Sequence, residues 1–325
     1  MGNCFIMCSQ GVFVSIVAPV YNVAHYLPSF INSIIRQSFL DWELILVDDG
    51  STDSSGLICD DYSYKDNRIK VIHKTNGGVS SARNAGIKEA KGRWLLLPDA
   101  DDSLFRDALQ VLLSYAKDDV DLIGAGYVRN VLGKIVQERK PSETKKMTVS
   151  DYIDEIGIIP QARNTDRYCW NKLFRLSVIK ENSILFNESL FYREDILFIY
   201  QYLMYCTRLV QSISYKMYIY YRRNTGAAIS LQEQYTSKSS GLFLAMTCCY
   251  DILIKMGASE IAKRRMKDEV LNTYKSIIKL IDKSGVGRDD KRVYTQKLHQ
   301  YYNNRELIRI GCKSILHRVK RILNP

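Results

Sequence analysis

Short apolar runs alternate with segments whose apolar positions recur every three or four residues, and this alternation organises the first part of the chain. Val12-Phe13-Val14-Ser15-Ile16-Val17-Ala18 reads as a β-branched strand stopped by Pro19. Leu27, Phe30, Ile31, Ile34 and Ile35 then fall at helical spacing, which predicts a helix over 27–38. Trp42 to Val47 is a second apolar strand, followed by the acidic, turn-rich loop Asp48-Asp49-Gly50-Ser51-Thr52-Asp53 and a helix N-cap. A helix through Ile58 leads to a third strand at 69–72. Gly77-Gly78 breaks the chain before a helix over 79–90 and a fourth strand, Arg93 to Leu97. Strands alternating with helices predict an α/β class with parallel pairing and right-handed crossovers. Helices on both faces require strands that are apolar throughout, as these are.

Past Asp102 the pattern loosens. Residues 105–117 predict a helix, 120–128 a strand, and the polar stretch 137–150 a loop. An aromatic and basic cluster spans 168–180. An apolar helix over 196–205 follows Arg193-Glu194-Asp195, and a Tyr-rich strand covers 217–221. From about Ser230 onward only helices are expected.

Composition narrows the class. With 325 residues and 46% hydrophobic content the chain can bury a large core, which excludes global disorder. Its net charge of +11 is unevenly placed: residues 255–325 hold 18 Lys/Arg against 7 Asp/Glu, a difference equal to the whole net charge. The basic character therefore belongs to the C-terminal part alone. The eight cysteines are scattered with no C-x-x-C pair, which points to reduced thiols rather than a zinc site or disulfide framework. The first Lys or Arg is Arg36, so the apolar start lacks the charged region of a signal peptide. Met1-Gly2-Asn3-Cys4 begins like a myristoylation signal but has Ile6 where Ser or Thr is needed. No uninterrupted apolar run is long enough for a membrane span.

The chemistry gathers at strand ends. Asp48-Asp49 closes the second strand, and Pro98-Asp99-Ala100-Asp101-Asp102 closes the fourth. In a doubly wound sheet both face one crevice. Carboxylates spaced as D-x-D suit a hard cation such as Mg²⁺ or Mn²⁺ shared with substrate phosphates; the alternative is an acidic turn capping a helix. No G-x-G-x-x-G follows the first strand and no P-loop occurs, which disfavours a dinucleotide or P-loop site. Asn76-Gly77-Gly78 and Arg83 offer backbone N–H groups and a guanidinium to phosphate oxygens. His25 and His73 have no spacing that marks a ligand pair.

Four ordered segments carry a family resemblance: 17–22 (Val-Ala-Pro-Val-Tyr-Asn), 46–53 (Leu-Val-Asp-Asp-Gly-Ser-Thr-Asp), 76–86 (Asn-Gly-Gly-Val-Ser-Ser-Ala-Arg-Asn-Ala-Gly) and 98–102. In order and spacing the chain resembles the family 2 glycosyltransferases of GT-A fold that build bacterial capsule, exopolysaccharide or O-antigen. The resemblance is tight over residues 12–130 and loose to about 230. It implies a mostly parallel central sheet with helices on both faces and a C-terminal helical region. It implies that Pro19, Tyr21, Asn22 and Asp49 line the nucleotide, that Arg83 lies near the diphosphate, that Asp101 binds Mn²⁺ or Mg²⁺, and that Asp99 holds ribose or the metal. Glu194-Asp195 resembles the family's acidic pair, with Asp195 as the general base and Glu194 as its support or substitute; Arg193 replaces the Gly usual before that pair. Trp170-Asn171-Lys172 resembles a segment bordering the acceptor, where Lys172 either meets the diphosphate or acceptor or lies on the surface over a buried Trp. Tyr220-Tyr221-Arg222-Arg223 resembles the family's strand-end basic pair, which implies Arg222 as a diphosphate contact.

These readings predict an inverting, metal-dependent transferase acting from a UDP-sugar on a hydroxyl of a lipid-linked glycan at the cytoplasmic membrane face. The domain organisation expected is an extension over 1–11, a transferase domain over 12–228 and a basic helical region over 229–325. In the last, Ile308, Cys312, Ile315, Leu316, Val319 and Leu323 form a stripe among basic residues. That suits either an interfacial helix on anionic lipid or a packed helix with a solvated basic face. Two rivals remain: a nucleotidyltransferase, which needs a Gly-rich basic loop where Pro19-Val20-Tyr21-Asn22 stands, and a basic nucleic-acid-binding protein, which the neutral first 254 residues disfavour.

Overall fold

The computed structural model describes residues 13–156, 168–222, 239–284, 288–303 and 306. The chain divides into two compact units, 1–189 with 194–223, and 190–193 with 224–325.

The first unit is built on one ten-stranded sheet in the order β3-β2-β1-β4-β9-β6-β10-β5, with β7 on β6 and β8 on β10. Its first half runs β1 (Val14–Val20), α1 (Leu27–Ile35), β2 (Trp42–Asp48), α2 (Ser55–Lys65), β3 (Ile69–His73), α3 (Val79–Glu89) and β4 (Trp94–Leu96). β1 pairs in parallel with β2 and β4, and β2 with β3. β1 continues through Pro19 rather than stopping there. The β4 pairing ends at Ile16, so no neighbour on that side asks position 19 for an amide hydrogen. α3 lies close on this sheet because residue 86 is glycine: a Cβ there would stand 2.3 Å from Val17 Cγ1.

The second half departs from the simple alternation. β5 (Ser103–Leu104) precedes a shorter helix than expected, α4 (Ala108–Ser114), and the strand read at 120–128 extends as β6 (Val120–Val131). The stretch read as a loop over 137–150 instead contains much of β7 (Lys134–Arg139), β8 (Lys145–Met147) and the start of α5 (Val149–Ile156). β7 and β8 are short sheet-margin strands without apolar alternation, β7 exposing Ile135 and Val136 as well as Lys134 and Glu138, which hides them from a hydrophobicity reading. β9 (Lys172–Arg175) inserts antiparallel between β4 and β6. α6 (Leu176–Glu181), α7 (Glu194–Tyr205) and β10 (Leu209–Arg222) complete the unit, with β10 parallel to β6.

The second unit contains α8 (Ser240–Lys255), α9 (Glu260–Ser284) and α10 (Arg288–Leu298). Phe243 packs its ring on Tyr274 and Tyr294, and the Tyr274 hydroxyl lies 2.9 Å from Thr295 Oγ1. No helix among the described residues is long and apolar enough to cross a membrane. The extension over 1–11 and the helix expected from Arg305 to Leu323 fall outside the described residues, Glu306 excepted. The described cysteines, including Cys59, Cys169 and Cys249, are free thiols.

Candidate active site

The carboxyl ends of β1, β2 and β4 bring together the residues singled out in the sequence. Beyond β1, Tyr21 is 49% exposed and offers an open ring face. Asn22 adopts a left-handed φ of +52° and braces the neighbouring loop. Its Oδ1 accepts from the N–H of Thr52 at 2.8 Å and of Asp53 at 3.3 Å, and its own N–H donates to Ser51 Oγ. Asp49, buried at the end of β2, accepts from Lys74 Nζ (2.6 Å), Gly77 N–H (3.0 Å) and Gly78 N–H (2.7 Å). These use about three of the roughly four lone-pair positions of a carboxylate, which leaves one acceptor position.

Asp48 stands beside it but does a different job. One oxygen accepts from Ser51 N–H and the other meets His73 Nδ1 at 2.9 Å, while His73 Nε2 meets Asp60 at 2.9 Å. The two carboxylates raise the His73 pKa above its ordinary value, Asp60 most. His73 is thus no ordinary surface histidine. Its partner was hidden because Asp48 and His73 meet only through the β2–β3 register, in which they face each other.

The acids after β4 divide their roles. Asp102 is buried and accepts from Tyr221 N–H at 2.9 Å, with the Tyr218 hydroxyl also on it. Burial and its neighbours Asp101 and Asp99 push its pKa well up. Asp99 donates its backbone N–H to the Tyr218 hydroxyl at 3.0 Å. It lies deep beside Arg83 with 32% of its side chain open to solvent, and burial pushes its pKa up to about 6, with Asp101 and Asp195 adding to the rise. Among the described residues no three His, Cys, Asp or Glu side chains converge tightly enough to hold an ion alone. Asp99 and Asp101 at a strand end instead fit an ion that completes its shell with substrate phosphate oxygens, the usual habit of Mg²⁺.

Arg83, on α3, links these acids to the pair that opens α7. Its guanidinium donates to Asp99 at 2.8 Å and to Asp195 at 2.7 Å, and lies 3.5 Å from Glu194. Its side chain is 3% exposed and stands over the Phe186 ring. Burial opposes its charge, yet Cys169, Asp195, Asp99 and Glu194 raise its pKa well above the usual value. The second oxygen of Asp195 accepts from Cys169 N–H at 3.3 Å. Burial and the adjacent Asp195 push Glu194 up to about 8, and the two carboxyls are hydrogen-bonded to one another. Glu194 therefore keeps its proton near neutral pH.

The remaining expected residues are placed unevenly. Lys172 is not a surface lysine: it is fully buried, and its ammonium donates to the carbonyl of Tyr168 at 2.8 Å and to Asn171 Oδ1 at 3.0 Å. Arg222 is exposed at the end of β10, and Pro19 is half-buried in β1. Arg193 has a left-handed φ of +65°, the conformation glycine favours, so the arginine holds a turn at some backbone cost. Cys169, Asp60 and Tyr218 were missed; none carries a signal until the fold places it.

The family model described as glycosyl transferase family 2 matches residues 15–182. The chain is 34% identical over 194 residues to the uncharacterized glycosyltransferase EpsJ of Bacillus subtilis, which covers 56% of this chain and 53% of that one. It spans about half or less of the curated relatives it matches first. Among solved structures, residues 1–349 of TarS from S. aureus in complex with UDP-GlcNAc superpose with a TM-score of 0.66 at 22% identity, covering 89% of this chain and 80% of that one. A mannosyltransferase from Pyrobaculum calidifontis in complex with GDP-Man and Mn²⁺ superposes with a TM-score of 0.54 at 13% identity, covering 95% and 81%. Both likenesses are of fold.

Proposed function

The chain belongs to glycosyl transferase family 2, and on that premise we propose that it moves a sugar from a UDP-sugar to a hydroxyl of a lipid-linked glycan, with inversion, in cell-surface polysaccharide synthesis. The observation that carries this reading is the position of Arg83, which ties Asp99 at the end of β4 to Asp195 at the start of α7. One cation thereby joins an acid suited to the donor side with an acid suited to the acceptor side.

In this mechanism Tyr21 lies on the nucleotide base, and the remaining acceptor position of Asp49 takes a base N–H. Asp101 with Asp99 would hold Mn²⁺ or Mg²⁺, which when bound supplies Lewis-acid assistance to the leaving diphosphate. Arg83 is placed to turn toward the diphosphate as it gathers charge, and Arg222 to meet it from β10. Lys172 acts by fixing the Tyr168–Asn171 segment rather than by touching phosphate. Asp195 takes the proton from the acceptor hydroxyl as that oxygen bonds to the anomeric carbon, and the bond to the diphosphate breaks with its electron pair leaving on phosphate oxygen. A single displacement with one base inverts the anomeric centre. Glu194, protonated near neutral pH and hydrogen-bonded to Asp195, steadies that carboxylate.

The TarS complex with UDP-GlcNAc supports a uridine donor, and the Mn²⁺ complex of the mannosyltransferase supports a divalent ion. The basic residues after 254 favour work at the inner face of an anionic membrane. A thermal-shift screen of UDP- and GDP-sugars with Mn²⁺ tests the reading, since a ligand of the folded state raises its stability by mass action. A UDP-sugar should shift the wild type, and Asp101→Ala should lose the Mn²⁺-dependent part of the shift. A full response in folded Asp101→Ala refutes the metal assignment.

A further inference from the structure

Beside the acids lies a wall of aromatic rings that donor binding and proton transfer do not use. On β10, Tyr218, Tyr220 and Arg222 are two residues apart and so share a face. The parallel register sets Tyr127 and Arg129 of β6 against Tyr218 and Tyr220. Trp170, from the segment before β9, stacks on Tyr218 with centroids 4.3 Å apart and lies parallel to Tyr220 at 5.9 Å. Tyr168 stacks on Trp170 at 4.7 Å, and Tyr127 meets Trp170 edge-on. Trp170 and Tyr218 are buried, whereas Tyr168 and Tyr220 keep part of their surface open.

This stack is anchored to the reacting groups. The Tyr218 hydroxyl holds the backbone N–H of Asp99, and Tyr221 N–H holds Asp102. Lys172 ties down the Tyr168 carbonyl, which fixes the outer ring. In register with Tyr220, Arg129 keeps a buried Nε with no hydrogen-bond partner. A buried donor of that kind is costly unless a ligand oxygen completes it.

From this geometry we infer that Tyr168 and Tyr220, backed by Trp170 and Tyr218, form a subsite for a pyranose ring of the acceptor. One face of a pyranose presents a patch of C–H groups with slight positive charge, which suits the negative face of an aromatic ring, while its edge hydroxyls need polar partners. The wall supplies both, next to the base. An acyclic polyol phosphate has no such face to offer. The inference rests on the transferase reading and adds to it that the acceptor end is a ring sugar.

Saturation-transfer NMR on the full chain, with UDP and Mn²⁺ present, tests it. The probes are the methyl β-pyranosides of glucose, galactose and N-acetylglucosamine, with ribitol 5-phosphate as the ringless comparison. At least one pyranoside should receive saturation concentrated on the C–H protons of one ring face. Tyr168→Ala and Tyr220→Ala should each weaken its binding roughly two- to tenfold, the scale of one aromatic contact. Tyr168→Phe and Tyr220→Phe should retain it, and UDP affinity by calorimetry should stay unchanged in all four. The proposal is overturned if UDP binds normally while no pyranoside signal depends on these tyrosines, or if ribitol phosphate gives the tyrosine-dependent signal instead. Should neither UDP nor GDP bind the wild type, the transferase reading itself fails and this subsite goes with it.

Discussion

Replacing Arg83 with methionine removes the only guanidinium among the described residues that is bonded to Asp99, Glu194 and Asp195, while keeping an apolar stem over Phe186. The side chain is 3% exposed, so water cannot replace it. Removing one partner of a buried ion pair costs about 3–5 kcal/mol because the other charge is left uncompensated. The acids have one escape, which is to keep their protons, and each unit of pKa rise is worth about 1.4 kcal/mol. Asp99 already stands at about 6 and Glu194 at about 8 with Arg83 in place. Without it both move higher still. A carboxyl whose folded pKa lies above its unfolded value holds a proton that the unfolded chain has lost, so folding becomes less favourable as pH rises. The deficit of the variant against wild type is therefore small below about pH 6, grows as pH passes the wild-type values of about 6 and about 8, and levels off above the raised values of the variant.

The assay is urea unfolding at pH 5.5 and at pH 9 followed by tryptophan fluorescence, with chelator present so that no divalent ion takes the place of the guanidinium. All three tryptophans, Trp42, Trp94 and Trp170, lie in the first unit, so the signal reports the unit that holds Arg83 even if the chain unfolds in more than one step. About 3–5 kcal/mol of destabilisation at pH 9, and a clearly smaller loss at pH 5.5, is expected. An equal deficit at both pH values, or a larger one at pH 5.5, would refute the claim that Arg83 acts as the countercharge of these acids.

Asp195→Asn should lower turnover by roughly 10² to 10⁴, the range for a lost general base, with UDP-sugar affinity by calorimetry nearly unchanged; near-normal turnover there with loss in Glu194→Gln would move the base by one residue. Gly86→Ala should destabilise the first unit by about 1–3 kcal/mol through overpacking against Val17, equally at pH 5.5 and pH 9 in the same urea assay. His73→Gln should reduce stability more at pH 6 than at pH 9. The folded pKa of His73 is raised, so its contribution is present in full below the unfolded value of 6.5 and is lost as pH rises through the folded one. With 49% of the His73 side chain exposed the effect should be small and weaken with salt, and a loss that is greater at pH 9 would contradict the bridge to Asp48 and Asp60.

The half of the fold from β1 to β4 was legible because β1, β2 and β4 are buried, largely apolar runs and α1 carries one apolar stripe. Asp49, Asp99 and Arg83 could be named because each lies in a motif beside a strand end or glycine break. What escaped has a common physical origin. β7 and β8 are short margin strands without apolar alternation, and β9 takes its place between β4 and β6 only when segments distant in sequence pair. His73 meets Asp48 through register, Cys169 meets Asp195 through the approach of α7, and the aromatic wall forms where two strands and a turn converge. Lys172 shows the limit from the other side. A lysine between Asn171 and Leu173 gives no local sign that it will be buried and bonded to Tyr168 and Asn171.

The charge balance around Arg83 argues that this site takes up positive charge together with its donor. Asp99, Asp102 and Glu194 all have raised pKa values, each chiefly through burial and each also through neighbouring acids. Among the described residues the buried guanidinium of Arg83 serves Asp99, Glu194 and Asp195, while the buried ammonium of Lys172 donates to Tyr168 and Asn171. A nucleoside diphosphate entering alone would add negative charge beside Asp99 and Asp101, which the field there opposes. A divalent ion held by Asp99 and Asp101 would reverse that sign. In the proposed mechanism Arg83 would then turn from Asp195 toward the phosphates. Donor binding and the readiness of the base would then be one event, because the same guanidinium stands between them.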